Sequence, residues 1–129
     1  HPGDFVLACT FEYIKLPRDL TARLEGRSSW ARKGLQVHAT SGFIDPGFEG
    51  YVTFELSNVS HMPIALYPIL RIGQLSFYQL DRKTAVPYGG KRLSKYHGDL
   101  GPSWTRIHKD PEWSIIRNQQ HAEGRKSSE

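Results

Sequence analysis

The stretch Tyr51-Val52-Thr53-Phe54-Glu55-Leu56-Ser57 alternates between apolar and polar side chains with a period of two. That period belongs to a β-strand with one face in a core. Val52, Phe54 and Leu56 share one face, and Tyr51, Thr53, Glu55 and Ser57 share the other. A second β-prone run extends from Phe5 to Leu16 and ends at Pro17. Ile64 to Tyr67 and Leu70 to Leu80 read as two further strands, set off by Pro63 and Pro68. Pro and Gly recur at turn-like spacing, at Pro46-Gly47, Gly50, Pro87, Gly89-Gly90, Gly98 and Gly101-Pro102. Many short strands with frequent turns predict an all-β barrel or sandwich.

Two segments carry helical signals. Arg18 to Glu25 is short and reads as a single turn. Ser28 to Leu35 has Ser28 or Ser29 as its N-cap and Gly34 as its terminator, which predicts a short helix. The chain has no internal repeat. From about Lys91 onward it turns polar and glycine-containing, as a mobile lid or arm would. Residues after about Asp110 read as a loosely ordered tail with Trp113, Ile115 and Ile116 as its anchors.

Composition narrows the class. The 129 residues are 38% hydrophobic and 23% charged, which suits one globular domain with a modest core. No apolar run approaches the roughly 20 residues of a membrane helix. The start, His1-Pro2-Gly3-Asp4, lacks the basic and apolar segments of a signal peptide. Cys9 is the one cysteine, so no internal disulfide can form and a reducing, cytoplasmic setting is expected. Seventeen basic residues against 13 acidic ones give +4. That excess suits an anionic partner, nucleotide or nucleic acid, and equally a solvated surface. No Lys/Arg-rich run marks a nucleic-acid footprint, and no nucleic-acid partner is expected.

Three places carry possible chemistry. In Gly26-Arg27-Ser28-Ser29-Trp30-Ala31-Arg32, backbone amides, two hydroxyls and a guanidinium can face an anion, or Ser-Ser can simply cap a helix. In Gly42 to Gly50, Asp45 enters a tight Pro-Gly turn as a functional acid or as a turn former. Glu55, mid-strand, faces either solvent or a lined pocket.

The block GRSSWARKGLQVHATSGFIDPGFEGYVTFELSN, residues 26 to 58, closely resembles the central signature of dCTP deaminases. Leu70 to Phe77 resembles the family's IGQL strand, with Gln74 within it. Pro87-Tyr88 resembles its Pro-Tyr motif. Lys95-Tyr96 and Gly101-Pro102-Ser103-Trp104-Thr105-Arg106 resemble its C-terminal lid. The likeness runs in order from His1 to about Asp110. It implies a distorted β-barrel of the trimeric dUTPase-like type over residues 1–110, with one or two short helices. The lid begins near residue 86, and residues 111–129 form a polar tail.

The same resemblance implies roles. Glu55 falls on the catalytic glutamate, which takes a proton from the water that attacks C4 of cytosine and delivers protons to N3 and the departing amine. Such work needs a carboxylate lifted toward neutrality by burial. Arg32 and Ser28 fall on residues used at the base and its attacking water. Arg27 and Ser29 fall in the phosphate and nucleotide loop, and Asp45 falls near the deoxyribose. Thr53 and Phe54 border the base, and Tyr88 and Lys95 close over the triphosphate. The partners implied are dCTP, dUTP and dTTP-type nucleotides and a homotrimer with sites at its subunit interfaces. Magnesium would arrive with the triphosphate. Zinc nucleobase deaminases need one His and two Cys ligands, so a chain with Cys9 alone cannot hold that zinc. The six histidines, His38 and His61 among them, show no ligand spacing and read as structural or surface groups.

The sequence departs from the family in several respects. The N-terminal portion of a typical member is missing, and the stretch after Asp110 runs past the usual end. Asp99 stands at a lid position where the family usually has glutamine. There it would repel phosphate unless magnesium or Lys95 offsets it. Ser41 replaces an alanine. The expected activity is deamination of dCTP to dUTP. A bifunctional enzyme that continues to dUMP and pyrophosphate is the alternative, and a nucleotide-binding regulatory form without turnover is another.

Overall fold

The computed structural model describes residues 1–40, 42–90 and 94–118. In chain order its elements are β1 (Phe5–Lys15), β2 (Leu20–Gly26), the one-turn helix α1 (Ser28–Ala31), β3 (Leu35–Gln36), β4 (Phe43–Ile44), β5 (Glu49–Asn58), β6 (Gly73–Gln79) and a 3-10 turn at Ile107–Lys109. Residues 112–118 are helical. The strands form two three-stranded antiparallel sheets, ordered β1-β5-β3 and β4-β2-β6. The all-β expectation holds. No strand pairing among the described residues joins the two sheets into a closed barrel.

β5 ties the fold together. Val52, Phe54 and Leu56 are buried, as their alternation requires. They pack with Ala22 and Leu24 of β2, Ile44 of β4, Leu35 of β3, and Val37 and Leu16 from the loops. One core therefore fills the space between both sheets. β5 is also the middle strand of its own sheet, so each of its edges finds a partner. Against β1 its register runs Leu7↔Glu55, Ala8↔Phe54 and Cys9↔Thr53, then shifts before Tyr13↔Tyr51. At that irregularity the Val52 N–H donates to the Thr10 hydroxyl at 3.0 Å, so the displaced ladder donor stays satisfied.

The structure corrects several local expectations. Arg18 to Glu25 holds no helical turn; most of it is β2, a central strand paired to both β4 and β6. Thr21, Ala22 and Leu24 are buried while Arg23 is exposed. Sheet pairing on both sides thus outweighs the helix-forming Arg, Leu and Ala residues there. Ile64 to Tyr67 forms no strand. Pro63 and Pro68 remove ladder donors at its two ends, and Ile69 takes a positive φ of 68°. Ile64 and Leu66 still pack against the core, as irregular chain. The strand expected from Leu70 begins only at Gly73.

α1 stops at Ala31, short of Leu35, and its N-cap is Arg27 rather than Ser28 or Ser29, with no side-chain capping bond. Gly34 does end the turn, at φ +88°. A Cβ there would lie 2.6 Å from that of Ser60, so only glycine fits. Trp113, Ile115 and Ile116 do not anchor the tail: all three are exposed. Ser41, Lys91 and the tail beyond residue 118 lie outside the described residues.

Truncation of the side chain that fills the centre of β5's inner face, Phe54→Ala, is expected to lower the unfolding free energy by about 3–5 kcal/mol, read by urea denaturation.

Candidate active site

The outer face of β5 is no solvent face. Tyr51, Thr53 and Glu55 are only half-exposed, and Tyr88 and the segment 94–105 face them. Between the two lies a cavity of about 580 Å³ lined by Asp45, Thr53, Glu55, Tyr88, Lys95 and Asp99, with Tyr96 and Ser103 beside them. That volume suits a small-molecule ligand.

Each wall has a local cause. Asp45 follows β4 and opens a turn in which its carbonyl accepts the Phe48 N–H at 3.1 Å. Gly47 sits at φ +85°, and a Cβ there would lie 2.6 Å from that of Pro87. The turn can therefore carry the base of the overlying segment directly, and the Tyr88 N–H donates to the Pro46 carbonyl at 2.9 Å. Glu55 Oε2 accepts the Ala39 N–H at 2.8 Å, and the Glu55 N–H donates to the Val37 carbonyl at 3.0 Å. One carboxylate oxygen is thereby fixed, and the other is left for a water or ligand. The Tyr88 ring stacks near Phe48, and its hydroxyl accepts the Tyr96 N–H at 3.1 Å. Burial pushes the Tyr88 phenol above its ordinary value, so it keeps its proton for donation.

The cover over the cavity is held by ion pairs. Lys95 Nζ donates to Asp110 Oδ1 at 2.6 Å, and this hydrogen bond raises the ammonium above its ordinary 10.5. Arg106 Nη2 donates to Asp99 Oδ1 at 2.9 Å, and the Ser103 hydroxyl donates to Asp99 Oδ2 at 2.6 Å. The charge of Asp99 is therefore offset by Arg106; of the two counterions the sequence left open, magnesium and Lys95, Lys95 is paired with Asp110 instead.

The other sequence-implied residues lie elsewhere. Arg27, Ser28, Ser29 and Arg32 are exposed on and around α1, and none of them lines the cavity. The Arg27 guanidinium donates to the Arg71 carbonyl at 3.2 Å, which pins the start of α1 to the approach to β6. Gln74 is exposed on β6 opposite Glu25, close by. Phe54 is a core side chain, so only its backbone can border the cavity. Within one chain, then, Glu55 stands with Asp45, Thr53, Tyr88, Lys95 and Asp99 and apart from Arg32 and Ser28. Among the described residues, no group of three or more His, Cys, Asp or Glu is disposed to hold a metal. His38 is half-buried at the edge of the core, with Nδ1 unpaired and Nε2 3.9 Å from Glu25, while His61 is exposed. No helix among the described residues is long and apolar enough to cross a membrane.

A family model of dCTP deaminase-like proteins matches residues 1–80. The chain belongs to the dCTP deaminase-like family. It is 53% identical over 109 residues to the dCTP deaminase, dUMP-forming, of Corynebacterium kroppenstedtii, covering 84% of this chain and 58% of that protein. It is 55% identical over 109 residues to the protein of that name from Clavibacter michiganensis (84% and 54%), and 56% identical over 107 residues to that of Thermobifida fusca (82% and 55%). The chain thus spans little more than half the length of these curated relatives.

In this dCTP deaminase-like chain, sequence reasoning did not single out Tyr96, Ser103, Arg106 or Asp110 as site residues. Their signal was the alternation of acid and base through Lys95, Asp99, Arg106 and Asp110, which only the folded lid turns into pairs. Asp110→Asn is expected to bring the Lys95 ammonium back toward its ordinary 10.5, read by NMR titration of Lys95 Nζ.

Proposed function

We propose that the protein this chain represents removes the 4-amino group of dCTP and then releases pyrophosphate, giving dUMP. The observation that carries this reading is the meeting of two carboxylates, Glu55 and Asp45, in one cavity beneath a lid that holds Tyr88 and Lys95. The names of the relatives, all dUMP-forming, favour dUMP over dUTP as the released product.

Glu55 is the acid-base residue on this reading. Its oxygen that does not bind Ala39 takes a proton from water as that water adds to C4 of the cytosine ring. The glutamate passes that proton to N3, then takes the proton of the new C4 hydroxyl and delivers it to the amine, which leaves as ammonia as the C4 carbonyl forms. Thr53 and the backbone of Phe54 border the base. Asp45 meets the deoxyribose and activates the water used in the second, phosphate-cleaving step. Tyr88 and Lys95 close over the phosphates as hydrogen-bond donor and point charge.

The remaining functional residues come from a second copy. Arg27, Ser28, Ser29 and Arg32 sit exposed and away from their own chain's cavity, as residues that serve a neighbour's site would. Arg32 and Ser28 then reach the base and its water, while Arg27 and Ser29 reach the phosphates, in a homotrimer. Exposed Met62, Tyr67 and Ile69 supply apolar surface of the kind an assembly covers. Gln74, beside that loop, belongs with it. Magnesium comes in with the triphosphate, since Asp99 and Asp110 already spend their charge on Arg106 and Lys95. No zinc takes part. A cytoplasmic setting suits these nucleotides and a Cys9 that stays a thiol.

Two measurements test this. Incubation with dCTP and magnesium, resolved by chromatography, is expected to give dUMP and pyrophosphate. Accumulating dUTP would restore the simple deaminase, and bound but unchanged dCTP would mean a regulatory form. Glu55→Gln is expected to keep dCTP binding by calorimetry while turnover falls by about 100-fold or more. Full activity in that variant would remove Glu55 from the mechanism.

A further inference from the structure

The segment 94–106 has no strand or helix to set its shape, yet it carries the groups that face the cavity. Beyond backbone bonds from the Gly98 N–H to the Glu49 carbonyl at 3.0 Å and from the Asp99 N–H to the Tyr96 carbonyl at 3.4 Å, its form comes from side-chain bonds. Three of them converge on one residue, Arg106. The Arg106 guanidinium donates through Nη1 to the Lys95 carbonyl and through Nη2 to Asp99 at 2.9 Å, and lies 5.4 Å from the centroid of the Tyr96 ring. The Arg106 backbone N–H donates to the Tyr96 hydroxyl at 3.1 Å. The Tyr96 N–H in turn reaches the Tyr88 hydroxyl on the cavity wall. Arg106 thus touches three successive parts of the cover: the backbone that carries Lys95, the ring of Tyr96 and the carboxylate of Asp99.

Asp99 is the other half. Its side chain is 18% exposed, it lines the cavity, and both its oxygens are taken, by Arg106 and by Ser103. A carboxylate there without Arg106 would face an anionic ligand unpaired.

We propose that Arg106 and Asp99 form a charge-paired clasp that shapes the cover before any ligand arrives. Arg106 is a positioning residue that sets Lys95 and Tyr96 over the cavity, and it neutralises the one acid the cover turns inward. A planar fork that bonds a carbonyl and a carboxylate while stacking on a ring is a task for arginine rather than lysine. Asp99 therefore depends on Arg106 in a way a neutral residue would not. The effect on triphosphate binding rests on the reading of the cavity as a dCTP site, whereas the effect on the order of the cover does not.

The test uses the full chain and two readouts. In nucleotide-free protein, Arg106→Ala is expected to speed amide hydrogen exchange across residues 94–106 by about tenfold, leaving the β5 amides unchanged. In turnover, the same change is expected to raise the KM for dCTP by about tenfold, with kcat near its parent value. Asp99→Asn combined with Arg106→Ala is expected to recover much of that KM, because no unpaired carboxylate then faces the phosphates. Arg106→Lys, which keeps the charge without the fork, should fall between parent and Arg106→Ala in both readouts. Unchanged exchange in Arg106→Ala overturns the clasp, and so does a double variant no better than Arg106→Ala alone. Faster exchange in a protein whose parent form does not process dCTP would uphold the clasp and sink the functional reading instead.

Discussion

β5 has two jobs, and period-two geometry lets one strand do both. Its even positions, Val52, Phe54 and Leu56, enter the core between the sheets, while its odd positions, Thr53 and Glu55, form the floor of the cavity. A one-residue slip in the register of β5 would swap core and cavity residues at once. Pairing on both edges, with β1 and with β3, guards against this. Glu55 is thus held by the backbone of a strand that cannot slide, and the Ala39 N–H fixes the direction of its carboxylate. A site built on such a strand is more exact than one built on a loop alone.

The rest of the site is stacked on that floor in order of decreasing regularity. The Asp45 turn follows β4, Pro87 and Tyr88 dock on that turn, and the cover beyond them is shaped by ion pairs and tyrosine hydroxyls. α1 follows the C-terminal end of β2, is tied to the approach to β6 and packs beside β3. Its Arg27, Ser28, Ser29 and Arg32 are exposed and do not line the chain's own cavity. A single copy has the acid and lacks the guanidinium, which is the physical ground for reading the site as shared between copies.

How much of this could be read from the residues differs from place to place. The alternation in 51–57 specified β5 and its faces outright, because burial on one side leaves a strong pattern. The same reasoning failed at Arg18 to Glu25. There Arg, Leu, Ala and Glu are fair helix formers, and only pairing on both sides makes the segment a strand. It failed again at Ile64 to Tyr67, where apolar residues pack without a ladder because two prolines interrupt it. Asp45, Thr53, Glu55, Tyr88, Lys95 and Asp99 were all named from motifs, and all six line one cavity. The partners of the cover escaped notice, since a pairing such as Lys95 with Asp110 depends on how an irregular segment folds back, and no local pattern encodes that.

The charges of the cover bear on where phosphate recognition must come from. Among the described residues of the cover, Lys95 and Arg106 are each matched by a carboxylate, Asp110 and Asp99, so these four groups carry no net charge. Such a cover offers a triphosphate a shaped wall and mobile hydrogen bonds, but little fixed positive field. Lys95 can turn toward phosphate only by sharing or leaving Asp110, whereas Arg106 is bound to the shape of the cover itself. On the proposed reading, the uncompensated positive charge at the phosphates then comes from groups other than these four. Arg27 and Arg32 of a neighbouring copy and the magnesium that accompanies the nucleotide are among its sources. Triphosphate affinity would therefore depend on assembly as well as on the lid, and a chain that folds alone would bind its nucleotide weakly even with every cavity residue in place.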